Sequence, residues 1–261
     1  MFGQILVEFL FRLTFGVAAA MGVTPSSQVT SGFYRIHLWV LMGLQTLAVL
    51  AVGSSQSTFS PHGKTIVWQF YLAVAAAAVC YFGAAIWMYE RRLPGKIAIW
   101  LVAGLALAGC TVPLLETATK PVAFQYADRV TSGLLLGLVT TAMLLGHWYL
   151  NTPTMKLEPL RRLLNLLGAA ILARTLVSAG GLFGHINDVG ENAITLSWLL
   201  FYLLRLLAGL AGLMLVVIMA AKTLKIPNTQ SATGILYAGV ILAFIGELTS
   251  QLLSAEAMFP L

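Results

Sequence analysis

With 261 residues, 59% of them hydrophobic and 9% charged, and a mean hydropathy of +0.89, the chain lacks the polar material to cover a water-soluble surface, where about 25% of residues are ordinarily charged. The net charge of +6 sits in short loops between apolar runs, the pattern of membrane orientation rather than of a nucleic-acid surface. The two cysteines, Cys80 and Cys110, lie inside apolar segments without CxxC spacing and read as packing residues.

Apolar runs long enough to cross a hydrocarbon core of about 30 Å recur along the whole chain. They cover residues 5–23, 33–53, 65–89, 97–115, 130–150, 160–183, 193–221 and 232–253. No basic region precedes the first run, so it reads as a mature span and not as a secretory signal. Turn chemistry separates the runs, for example Thr24-Pro25-Ser26-Ser27, Leu93-Pro94-Gly95 and Asn151-Thr152-Pro153. The expected fold is all-α: a polytopic membrane bundle of about eight transmembrane helices with short loops, forming one domain over 1–261. The even count admits a four-plus-four repeat, although likeness between the halves is too faint to place one.

Charge sets the expected orientation. The first, third, fifth and seventh connections carry Arg35, Arg91, Arg92, Lys96, Lys156, Arg161, Arg162, Lys222 and Lys225, whereas the others hold only Lys64, Lys120 and Arg129, with Glu116, Asp128, Asp188 and Glu191. This bias directs the odd loops to the cytoplasm and both termini outward, as in a bacterial inner membrane. Phe33, Tyr34, Trp39, Trp87, Tyr89, Trp148 and Tyr149 mark span ends as an interfacial belt does. Gly133 with Gly137, and the Ala208–Gly212 run, offer small faces for close helix packing.

Two groups of residues are candidates for chemistry. His37, near the start of the second span, and His147, near the end of the fifth, both lie roughly 6 Å below the cytoplasmic interface at 1.5 Å rise per residue. Imidazoles at one depth on two helices suit bis-histidine ligation of a haem b, with Tyr34 and Arg35 placed to meet its propionates. A metal ion would need further ligands that the sequence does not provide, and a belt role for both histidines is the plainer alternative. His62 and His185 read as solvated histidines of outward loops.

The second group is Glu8, Arg12, Arg174, Arg205 and Glu247, five ionisable residues inside apolar runs. A charge at the bilayer centre costs about 2.5–3.5 kcal/mol on insertion scales, so such residues seek partners in the bundle interior. Glu8 and Arg12 share a helix face, and Glu247 has either Arg174 or Arg205 to meet, which leaves one arginine over. A spare guanidinium attracts a carbonyl oxygen, an anion or a lipid phosphate; Gln45, Thr249 and Gln251 add hydrogen-bonding groups nearby.

No Ser-His-Asp arrangement or GxxxxGK[ST] loop is evident. The expected function is an integral subunit of a respiratory-type electron-transfer system, binding haem b or quinone and partnered by the bilayer and by other membrane or peripheral redox subunits. In helix number alone the chain resembles the eight-span quinol-oxidising anchors of molybdenum oxidoreductases. The alternatives are a transporter of a small anionic or lipid-like solute, for which Pro113 and Gly180-Gly181 are the candidate helix interruptions, and a non-catalytic assembly subunit.

Overall fold

The architecture comes from a computed structural model that describes residues 2–55, 63–116, 121–152, 155–189, 195–226, 228–257 and 259–261. His62, Lys120 and Glu191 lie outside these described residues. Within them the chain is all helix, with eight spans long and apolar enough to cross a membrane. Helices are the form that satisfies every backbone group internally in hydrocarbon. They are α1 (Phe2–Val23), α2 (Ser31–Ser55), α3 (Gly63–Met88), α4 (Arg92–Thr111), α5 (Val122–Asn151), α6 (Glu158–Val189), α7 (Leu196–Thr223) and α8 (Thr229–Glu256).

Local chemistry sets the ends. Thr24 folds its hydroxyl back onto the Ala20 carbonyl at 2.7 Å, and Pro25 then stops α1. Glu90, at φ 55, takes the left-handed conformation that reverses the chain between α3 and α4. Pro113 closes α4 through the short 3-10 turn Val112–Glu116. Thr195 and Asn228 accept the Trp198 and Ser231 amides as N-caps of α7 and α8.

The helices form two rings of four. In the first, α1 packs on α2 and α4, α2 on α3, and α3 on α4; in the second, α5 packs on α6 and α8, with α7 between α6 and α8. The rings meet where α1 lies against α5. First and fifth crossings run in the same direction, the arrangement that two parallel repeats about the membrane normal would give.

This arrangement exposes a repeat in the sequence itself. Arg12, Thr14 and Gly16 of α1 recur at constant offset as Arg129, Thr131 and Gly133 of α5, with Glu8, Phe9 and Leu13 answered by the similar Gln125, Tyr126 and Val130. The second helices carry a fainter echo, Gln45-Thr46-Leu47 and Arg174-Thr175-Leu176. Each points a buried donor at the first helix of its ring: Gln45 Nε2 donates to Thr14 Oγ1 at 2.7 Å, and Arg174 Nη1 to Asp128 Oδ1 at 2.5 Å.

Glycine permits the contact between rings. A Cβ on Gly16 would stand 1.7 Å from the Gly133 carbonyl oxygen, and one on Gly137 would stand 1.8 Å from the Gly16 carbonyl carbon. Backbone therefore touches backbone, the small-residue mode of membrane helix packing. Gly209 and Gly246 make a second such crossing between α7 and α8. In the most apolar stretch of α1, 83% is buried against 33% in α2, α3 and α6, so α1 forms the axis while those three turn apolar sides such as Leu50, Phe82 and Leu172 toward lipid.

The seventh span crosses without a loop but changes winding: α-helix over Leu196–Leu204, π-helix over Arg205–Gly212, and α-helix again over Leu213–Thr223. Wide π turns inside α-helices commonly mark functional positions. Beyond α8, the tail returns over the same end of the bundle. Phe259 rests on Phe124, Pro260 covers Gly181, and Ser250 donates its hydroxyl to the Leu261 carbonyl.

Candidate functional site

Asp128 and Arg129 fall inside α5, two turns from its start, and not in the preceding connection where their charge count places them in the sequence; their residues are 2% and 6% exposed. The helix begins at Val122 because nothing after Pro121 breaks it, and the buried charges are stabilised by partners in both rings. Arg129 thus leaves the loop charges, and Asp128 joins Glu247 as a buried carboxylate, with Glu8 half-buried beside them.

The pairs cross between rings. Arg12 Nη2 of α1 lies 2.9 Å from Asp128 Oδ2 of α5, and Arg129 Nη2 of α5 lies 3.6 Å from Glu8 Oε1 of α1. Glu8 also meets Arg12 at 3.5 Å along its own helix. Arg129 is completed by Nε donating to the Cys110 carbonyl at 2.6 Å and Nη1 to Gln125 Oε1 at 3.0 Å. The repeated arginines thus clasp the two halves where Gly16 allows α1 and α5 to approach.

Arg174 is the hub of the second ring. Fully buried, it donates from Nε and Nη2 to the two oxygens of Glu247, both at 3.0 Å, from Nη1 to Asp128, and from Nη2 to Ser250 Oγ at 2.9 Å. This fork-to-fork geometry is the strong form of an arginine–carboxylate pair. Between the two expected partners of Glu247, the structure selects Arg174.

Arg205 is left over. It is 1% exposed, donates Nη1 to Ser178 Oγ at 2.5 Å, and among the described residues has no partner for Nε or Nη2. Among the described residues, Arg12, Arg129 and Arg174 pair with Glu8, Asp128 and Glu247, and Arg205 stands beside them as one cation in excess. A buried donor without an acceptor carries its full desolvation penalty; Arg12 also leaves Nε and Nη1 unbonded among the described residues, but its Nη2 meets Asp128, whereas no ion pair to a carboxylate is found for Arg205 among them.

A second unbonded polar side chain lies on α8. Gln251, 6% exposed on α8, has neither amide atom bonded among the described residues. The Gly209–Gly246 crossing sets the register of α7 and α8, which puts Arg205 level with Ser250 and Gln251. Rings lead down to it. His185 of α6 stacks on Trp198 at 5.3 Å, and Trp198 stacks on Tyr202 at 5.3 Å with planes 3° apart, one turn above Arg205. His185 therefore belongs to the end of α6, which continues through the expected loop to Val189. From the start of α7, Arg205 lies about 13 Å along the helix axis.

The two histidines expected at one depth turn to different neighbours. His37, 5% exposed, places Nδ1 2.6 Å from the Phe33 carbonyl, which identifies that nitrogen as the protonated donor, and its ring packs on Phe33 and Trp148. His147 is exposed and faces α8, with Nδ1 3.4 Å from the Tyr237 hydroxyl. Tyr34 is buried, donates to the Thr24 carbonyl at 3.1 Å and stacks on Trp87 at 4.3 Å, while Arg35 is exposed. His37 and Tyr34 thus share an aromatic cluster that His147 and Arg35 do not join.

Sequence reasoning missed Asp128, Arg129, Ser178 and Ser250. The repeated Arg-x-Thr-x-Gly of α1 and α5 was the signal that would have moved Arg129, and Asp128 with it, into a helix. The chain matches no family model, and comparison with curated proteins and with solved structures finds no similar one.

Proposed function

We propose that the chain is an integral membrane subunit of an electron-transfer system and holds a quinone headgroup at Arg205. The observation that carries this reading is the excess guanidinium: buried, bonded to Ser178, and with two nitrogens that find no partner among the described residues. A quinone carbonyl is a neutral acceptor, planar enough to lie beside the His185–Trp198–Tyr202 column. Gln251 brings both a donor and an acceptor, so it suits the quinone and the quinol forms alike. With the basic loops cytoplasmic, as the charge bias of the loops supports, Arg205 lies in the outer half of the membrane.

Binding of a short-chain quinone to protein in nanodiscs, followed by tryptophan quenching, tests this reading. A hydrogen bond to a charged group contributes about 1.5–3 kcal/mol, so Arg205→Gln weakens binding at least about tenfold. Unchanged affinity in the variant would refute the assignment. The haem arm of the same reading rests on His37, whose Nδ1–H is fixed by a carbonyl as in metal-ligating histidines; it requires His147 to turn from Tyr237, and a reduced-minus-oxidised spectrum without a Soret difference would remove it.

The parallel repeat favours a second reading, transport of a small anionic or lipid-like solute, because repeat-built transporters often bind at such positions. Against it, the contact between the rings is closed by glycine and ion pairs. Anion uptake into proteoliposomes that is lost in Arg205→Gln, with no quinone bound by the parent protein, would decide for this reading.

A further inference from the structure

At the end of the bundle that carries Arg91, Arg92, Lys156, Arg161 and Arg162, a groove of about 510 Å³ lies between the turn after α1 and the start of α6. Pro25 and Gln28 form one wall, and Arg161, Arg162, Asn165 and Leu166 the other. Its charges are unequal in their freedom. The Glu158 carboxylate, also on the rim, accepts from Gln28 Nε2 at 3.2 Å, and Arg161 is held by its Nη2 bond to the Leu224 carbonyl at 2.9 Å. Arg162 and Asn165 are exposed and have no hydrogen-bond or ion-pair partner among the described residues.

The face of α6 that carries Arg162 continues into the membrane as Leu166, Ala169, Ala173 and Leu176, spaced at 4, 3, 4 and 3 residues, which is one side of a helix. All four are open to the surroundings, Leu176 at 74%. A basic, hydrogen-bonding notch thus sits directly above an apolar track about 15 Å long, about one leaflet deep. Neither part alone defines a ligand, since the notch suits any phosphate and the track any acyl chain. Together they fit one amphiphile.

We propose that this groove binds the phosphodiester headgroup of an anionic phospholipid from the adjacent leaflet, with Arg162 and Asn165 on the phosphate and an acyl chain along Leu166, Ala169, Ala173 and Leu176. Arg161 supplies field without leaving Leu224, and Gln28 keeps Glu158 turned from the phosphate. Basic pockets between transmembrane helices are a recurrent headgroup site. The site is independent of Arg205, which lies toward the other end of the bundle.

Native mass spectrometry of the full chain in detergent tests the proposal, with phosphatidylglycerol, phosphatidylcholine and inorganic phosphate as probes. The expected result is retention of phosphatidylglycerol in preference to phosphatidylcholine, reduced about fivefold by Arg162→Gln and further by Arg162→Glu, while Arg92→Gln at the same end leaves it unchanged. Both positions are exposed, and equal thermal midpoints would show the variants folded. Equal retention of the two lipids, or retention insensitive to Arg162, overturns it. Displacement of the lipid by millimolar inorganic phosphate would identify a free-phosphate site instead and overturn the lipid assignment.

Discussion

Replacing Arg174 with leucine is expected to lower the thermal midpoint of the purified protein by about 10 °C, or to prevent its recovery as a monodisperse species. Arg174 donates to Asp128, to both oxygens of Glu247 and to Ser250 from a fully buried position. Its loss leaves Glu247 without its bidentate partner and removes one of the two arginines on Asp128. Breaking a buried pair by removing one member costs about 3–5 kcal/mol, because the remaining charge stays desolvated, and that cost in a chain of this size corresponds to the stated shift. The double variant Arg174→Leu/Glu247→Leu should recover part of the loss, since it removes the stranded carboxylate as well. A single variant as stable as the parent, by scanning calorimetry or fluorescence, would mean that the network contributes no folding energy.

Substituting Gly137 with leucine should separate the two rings. The Cβ alone would stand 1.8 Å from the Gly16 carbonyl carbon, and the atoms it meets are backbone, which no rotamer change can move aside. Overpacking of ordinary cores costs about 1–3 kcal/mol; with two helix backbones in contact the loss should reach the upper end or exceed it. Moving α1 from α5 also stretches Arg12–Asp128 and Arg129–Glu8, so packing and ion pairing fail together. Gly104 is the control. Nothing lies within 4 Å of a Cβ there, and Gly104→Ala should be neutral or stabilising by up to about 1 kcal/mol. Size-exclusion profiles and melting curves of the two variants compare the effects directly.

The spans and the buried charges were legible because membrane insertion is severe: twenty apolar residues and an arginine among them have few structural meanings. Glu8, Arg12, Arg174 and Glu247 meet in one network around Asp128, while Arg205, the arginine left over from the charges, bonds Ser178 instead. Asp128 itself was hidden by a rule that works elsewhere, since charges beside a span end normally lie in a loop. Here the helix starts earlier because partners on α1 and α6 take up its charge. Depth along an axis also says nothing of azimuth, which is why His37 and His147 can share a level and still face different helices. The π-helical winding at Arg205 left no mark in composition, because Arg205–Gly212 has the residue types of any small-residue packing face.

These features converge on Arg205, a buried arginine that meets no carboxylate among the described residues, wound on a π-helical turn beneath three stacked rings. The most direct test is the quinone content of protein purified from membranes, extracted and quantified per chain, for the parent and for Arg205→Gln at matched thermal stability. The proposal predicts close to one quinone per parent chain and less than about a tenth of that in the variant, as the loss of a charged hydrogen bond implies. A parent protein without quinone, or a variant that retains as much as the parent, would contradict it.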